Sequence, residues 1–423
     1  MSTTAPATPL THPSPLVQDG SPVHLPANFK RLEEQYFYTL VAAGLVVLLA
    51  GLGAFLYMEH HGHIVTGMNN QIVWGTPHVF AIFLIVAASG VLNVASIGSV
   101  FGKTVYKARA PLSGLLSIAM LAGGLMVLLL DLGRPDRLIV AATHFNFKSI
   151  FTWNVFLYSG MFAVVGLYLW TLMERRMNPW SKRAGLLAFI WRLVLTTGTG
   201  SIFGFLVARQ GYGAAILAPM FILMSFAWGL AVFYIVQCTM FAWNGVRLHE
   251  SIHRRMRNLL GIFVAGTFYF VLAFHLTNLY FARQVEFEMF ILAGGNVYSK
   301  LLWFGYFLVG TIVPLVLIFH PSLGDRRSAM FAAVAVLIGA FSLLYSFIIG
   351  GQAFPLEIFP GYATTSSFGD GQIASYTPSI WEVLLGMGGV AVAFLMTTIG
   401  VRVLRFMPQD DLHQLDSAGT IAD

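Results

Sequence analysis

Charged side chains make up only 10% of the 423 residues, against about 25% in soluble globular chains. That shortage excludes an ordinary soluble domain, a disordered chain and a nucleic-acid-binding surface, although the net charge is +6. Cysteine is almost absent. Cys238 is the sole one, and it sits inside an apolar stretch. No disulfide can close within the chain, and no cysteine-ligated zinc or iron–sulfur centre can be built from it alone. A removable signal peptide is not expected, because no basic start leads into a short apolar core and a cleavage site. Residues 1–35 open with a run rich in Pro, Ser and Thr and read as a disordered tail, and residues 407–423 read as a second polar tail.

What remains is apolar: 57% hydrophobic residues and a mean hydropathy of +0.74. Ten runs, at approximately 36–58, 76–101, 112–131, 149–173, 184–206, 215–242, 258–281, 300–320, 327–350 and 378–406, are each long enough to cross a hydrocarbon core of about 30 Å. A backbone in lipid must satisfy its own hydrogen bonds, so these runs are helices; barrel strands would be shorter and alternating. The expectation is an all-α integral membrane protein with ten transmembrane helices over 36–406. Of the 24 Lys and Arg, 17 fall on the side holding both tails and the loops after the second, fourth, sixth and eighth runs. Five fall on the other side: Arg134, Arg137, Lys148, Arg209 and Arg283. The positive-inside rule then puts both termini in the cytoplasm and, in a Gram-negative cell, the opposite face in the periplasm. The expected location is the bacterial inner membrane.

Polar groups are costly in hydrocarbon, so their depth is informative. Arg192 lies roughly 12 Å into the fifth run. Its readings are a side chain that snorkels to the basic face, a buried ion pair, or part of a proton path. Thr196, Thr197, Thr199 and Ser201 follow it, either to carry water or to bond back to the helix.

The ends on the side poor in Lys and Arg hold a richer mixture: His78, Asp131, Arg134, His144, Trp153, Asn154, Arg209, His275, Asn278, Tyr345 and Glu382. Acids, imidazoles, amides and phenols exchange protons as well as hydrogen-bond. They suit a quinone head group, whose reduction takes two electrons and two protons. The expected catalytic set is Asp131, His78, His275 and Tyr345. The expected quinone-binding set is His78, Asp131, Arg134, Trp153, Asn154 and Glu382, and no metal site is assigned. Competing readings are an interfacial role for each residue, a structural Asp131–Arg134 pair closing the turn at Gly133 and Pro135, and His78 and His275 as axial ligands of a haem b. A secondary transporter is the alternative for the whole chain.

Asp131-Leu132-Gly133-Arg134-Pro135, His144-Phe145-Asn146-Phe147-Lys148-Ser149, Thr197-Gly198 through Gly204 to Pro219, and Pro378-Ser379-Ile380-Trp381-Glu382 occur in order at helix ends. In this the chain resembles the polysulfide-reductase membrane-subunit (NrfD-like) family, over roughly residues 70–410. Within its ten-helix branch, the segment Asn69 to His78 looks most like the P subunit of the Dsr sulfur-metabolism complex. The resemblance implies two four-helix bundles, helices 2–5 and 6–9, with helices 1 and 10 outside. It implies no haem or metal in this chain, and a menaquinone or ubiquinone site near the periplasmic face at His78, Asp131, Arg134 and Trp153. Its implied partners are a periplasmic iron–sulfur, ferredoxin-like subunit, other membrane and cytochrome subunits, and membrane lipid. The implied role is the quinone-reactive subunit of a redox complex in dissimilatory sulfur metabolism, not a stand-alone enzyme.

Overall fold

A computed structural model of the chain describes residues 27–100, 104–243, 248–356, 371–404 and 406. All ten expected spans are helical, and no strand occurs among the described residues. They are numbered α1 (Ala27–His61), α2 (Thr76–Ser99), α3 (Ala110–Leu130), α4 (Ile150–Met173), α5 (Ser181–Gly204), α6 (Leu217–Trp243), α7 (Glu250–Tyr280), α8 (Val297–Phe319), α9 (Arg326–Ala353) and α10 (Ile380–Leu404). Apart from the helical backbone that starts at Ala27, the expected tails lie outside the described residues.

The expected grouping holds. Helices α2 to α5 pack together, as do α6 to α9, while α1 leans on α10 and α10 on α2 and α3. The bundles meet where α2 and α5 face α6. Small residues make this seam possible: a Cβ on Gly90 of α2 would overlap the Ser225 carbonyl of α6, and one on Gly200 of the α5 GxxxG step would lie 2.8 Å from the Leu217 carbonyl oxygen. In lipid, where apolar surface has no preference for protein, such close contact drives association.

One boundary moved. Helix α7 begins at Glu250, a full two turns before the expected 258. Its first turns carry Glu250, Arg254, Arg255 and Arg257, which depress hydropathy, but Ile252, Met256 and Leu260 recur every four residues and are buried. The extension is amphipathic, with Ile252, Met256 and Leu260 on its buried face.

Arg192 does not snorkel. It is 1% exposed, with its guanidinium 4.7 Å from the Phe189 ring centre and 5.1 Å from that of Phe226. Its helix face looks into the bundle seam, so the stem has no route along lipid; the aromatic faces take the place of water around the cation. The hydroxyls that follow bond to the helix backbone: Thr196, Thr197 and Thr199 donate to the carbonyls of Arg192, Leu193 and Leu195 at 2.8, 2.8 and 3.0 Å.

Candidate functional site: carboxylate–imidazole pairs at the charge-poor end

Helix α2 starts abruptly. Gly75 is its N-cap and Pro77 fits the first turn, where no N–H is needed. His78 therefore stands at the helix mouth. Helix α3 runs the other way and ends at Leu130, with the Asp131 N–H still bonded to the Val127 carbonyl. The two ends place His78 Nδ1 2.7 Å from Asp131 Oδ2. The Asp131 side chain is 1% exposed, that of His78 13%. The contact is close but poorly aligned, and Asp131 Oδ1 is buried with no hydrogen-bond donor. A buried carboxylate oxygen without a donor is costly and calls for an explanation. The Trp74 indole lies against the imidazole, 5.8 Å between ring centres and 23° from parallel.

The other candidates do not join this pair. His275 Nδ1 meets Glu288 Oε2 at 2.8 Å, and Asn278 Nδ2 donates to Glu288 Oε1 at 2.7 Å. Glu288 comes from the short helix Val285–Ala293 between α7 and α8 and is fully buried. His275 borders a cavity of about 20 Å³, enough for one water. Met220, Phe274, Leu302, Ser346 and Phe347 line it with His275, and it includes neither His78 nor Asp131. The two histidines thus face separate carboxylates.

Glu382 is satisfied. It accepts from the Tyr376 hydroxyl (2.6 Å) and the N–H groups of Gly67 (2.9 Å) and Ser379 (2.8 Å), while Ser379 Oγ receives the Glu382 N–H. The segment Ser379-Ile-Trp-Glu382 is a capping box that starts α10. Tyr376 Oη also accepts the Thr76 N–H at 2.6 Å, so the latch reaches the start of α2. Burial, and then the neighbouring Glu382 carboxylate, push the Tyr376 phenol above its ordinary value, so it stays a donor. Tyr345 packs 6.2 Å from the rings of both Tyr298 and Tyr376.

Arg134 pairs with Asp136, not with Asp131. After Asp131 the chain turns outward, and both Arg134 and Asp136 are more than half exposed. The guanidinium holds the Asp136 carboxyl below its usual range. Trp153 is half-exposed and donates from Nε1 to the Phe147 carbonyl at 2.8 Å. Asn154 is buried and bridges α4 to α5 by donating to the Ile150 and Gly198 carbonyls.

Three participants escape a reading of the sequence: Glu288, Trp74 and Gln352. Glu288 lies in a connecting segment, and Gln352 lies just past the expected end of the ninth run. An acid set between Phe287 and Met289 is the available signal for Glu288, and the neighbouring Glu286 weakens it.

Ten membrane helices in two bundles, with carboxylate–imidazole pairs buried near one end, define a polytopic membrane protein. The chain matches the family "Polysulphide reductase, NrfD" over residues 64–356 and belongs to that family. It is 28% identical to the Hdr-like menaquinol oxidoreductase integral membrane subunit of Archaeoglobus fulgidus, over 92% of this chain and 98% of that protein. It is 27% identical to a putative dimethyl sulfoxide reductase membrane subunit of Halobacterium salinarum, over 85% and 89%. A selenate reductase subunit of Mesobacillus selenatarsenatis is 21% identical, over 90% and 97%.

Proposed function

We propose that this chain is the quinone-reactive membrane subunit of a multisubunit redox complex, with His78 and Asp131 at the head group. The observation that carries this reading is the buried Asp131 Oδ1, an acceptor without a donor, set against an imidazole under an aromatic plate. A quinol supplies two electrons and two protons, and a quinone consumes them. A ligand hydroxyl at the pair finds an acceptor in Asp131 Oδ1. His78, held by Asp131 at Nδ1, has its other ring edge free to take or give the proton. The present misalignment suits this role, since such hydrogen bonds often tighten only when the ligand is bound. Trp74 offers a flat apolar face for the ring, and the exposed Phe151, 6.4 Å away and edge-on to Trp74, adds apolar surface beside it for an isoprenoid tail.

Trp153 and Asn154 set the start of α4 beside this site, and Glu382 with Tyr376 sets the start of α2. Arg134 and Asp136 stand above it on the surface. The relatives named as membrane or other subunits of a menaquinol oxidoreductase and of two reductases support a menaquinone-class ligand and further subunits in the same complex. In this reading the electrons are exchanged with an extramembrane iron–sulfur subunit, joined by other membrane and cytochrome subunits. The uneven Lys and Arg distribution supports an inner-membrane location with both termini cytoplasmic and the site on the periplasmic side. Dissimilatory sulfur metabolism is the setting this reading favours.

The test is Asp131→Asn in the assembled complex. Quinone-linked turnover is expected to fall by about 10²–10⁴-fold, the range for loss of a positioned acid–base group, with normal assembly. Wild-type turnover in that variant would refute the reading.

A further inference from the structure

The loop between α1 and α2 carries Trp74 to His78, yet from Thr66 to Gly75 it has no regular secondary structure. Its fixed point comes from elsewhere. Gln352, in the last turn of α9, is 1% exposed and spends its whole side chain there. Its Oε1 accepts the N–H groups of Val73 and Trp74, each at 3.0 Å. Its Nε2 donates to the Trp74 carbonyl at 3.0 Å and to the Ile348 carbonyl at 2.9 Å. A side-chain amide has two donors and two acceptor positions, and all four are used. Two of them hold the peptide groups on either side of the Trp74 Cα, and a third holds the Val73 N–H one peptide earlier.

The backbone around the clamp is locked as well. Arg209 donates to the Gln352 carbonyl at 2.9 Å and to the Gln71 carbonyl at 2.7 Å. Gln71 Nε2 donates to the carbonyls of Gln352 and Ala353 at 3.2 and 2.9 Å. Side chains of the second bundle and of the α5–α6 loop thus set the position of an aromatic ring in the first bundle's site.

We propose that Gln352 is a positioning residue for the His78 site, acting through Trp74. The inference rests on the quinone reading above. Gln352 touches neither His78 nor Asp131 through its side chain; it fixes the plate that faces them. Loss of alignment on the scale of 1 Å costs reactions up to about 100-fold, and without Gln352 the irregular loop loses three hydrogen bonds around Trp74.

The experiment is a double-mutant cycle in the assembled complex, with quinol turnover and hydrogen exchange measured together. Gln352→Met keeps the volume and removes all four bonds. It is expected to raise KM for the quinol about 10-fold, within the range for a displaced binding group, with a smaller effect on kcat. It should also speed exchange at the Val73 and Trp74 amides. In a Trp74→Ala background the same substitution should change KM no further, because residues that act through one another are not additive. Full additivity, or a wild-type KM for Gln352→Met beside an impaired Asp131→Asn, overturns the inference and leaves the quinone reading standing. Wild-type turnover in Asp131→Asn overturns the reading itself, and unchanged exchange at residues 73 and 74 overturns the clamp irrespective of activity. If Gln352→Met does not accumulate, Gln352→Glu serves. It keeps both acceptor contacts, turns the two donor contacts into oxygen–oxygen repulsion, and is expected to shift KM and exchange in the same direction.

Discussion

Two histidines stand near the same end of this molecule, each beside a buried carboxylate, and they are in opposite states. In the second bundle Glu288 has both oxygens occupied, one by His275 and one by Asn278. In the first bundle Asp131 has one oxygen against His78 and the other without any donor. The residue types are equivalent, and the difference lies in saturation. A saturated buried pair is already at its best energy and gains nothing from a ligand. An unsaturated one carries the desolvation cost of a free acceptor, which a hydroxyl from outside relieves. The same test assigns Glu382, whose oxygens hold Tyr376, Gly67 and Ser379, to structure.

This contrast can be broken in order of effect. The largest expected change is the turnover loss in Asp131→Asn, set against near-normal turnover in any Glu288 variant that folds. Next, Glu288→Ala leaves His275 and Asn278 without their partner, and removing one member of a buried pair costs about 3–5 kcal/mol. Thermal unfolding in detergent should show that loss while KM for the quinol stays put; a raised KM with unchanged stability would reverse the assignment of the two pairs. The smallest effect is expected at Arg134→Ala. Its pair with Asp136 is solvent-exposed, and exposed pairs contribute little. Because Arg134 lowers the Asp136 carboxyl in the folded chain, any stability it adds is present above the ordinary carboxylate range and fades as pH falls through the lowered value. The variant should melt as the wild type does at neutral pH, and a clear drop there would mark Arg134 as part of a partner contact.

Hydropathy alone makes the helices legible, because each span must satisfy its backbone in lipid. The polar layer is legible for the same reason: His78, Asp131, His275 and Glu382 interrupt runs that have little polarity elsewhere. Pairing is not. Proximity in sequence matches Asp131 with Arg134, whereas the helix end turns that arginine outward and brings in a histidine from another helix. Depth groups His275 with His78, but depth is one coordinate, and the carboxylate that claims His275 sits in a segment with no periodic pattern. Gln352 and Trp74 carry no charge and look like ordinary interface residues. Their importance comes from hydrogen bonds to backbone atoms, which side-chain identity does not encode. Arg192 departs from the snorkelling expectation because hydropathy gives the depth of a residue and not the direction its helix face points.

We assign the quinone to the unsaturated pair and not to the saturated one. Photo-crosslinking the assembled complex with an azido-quinone, followed by peptide mapping, tests it directly. Label is expected on the segments around Trp74–His78 and Asp131, displaced by excess unlabelled menaquinone. Displaceable label confined to the residues around His275, from Met220 to Phe347, with none near His78, would contradict it.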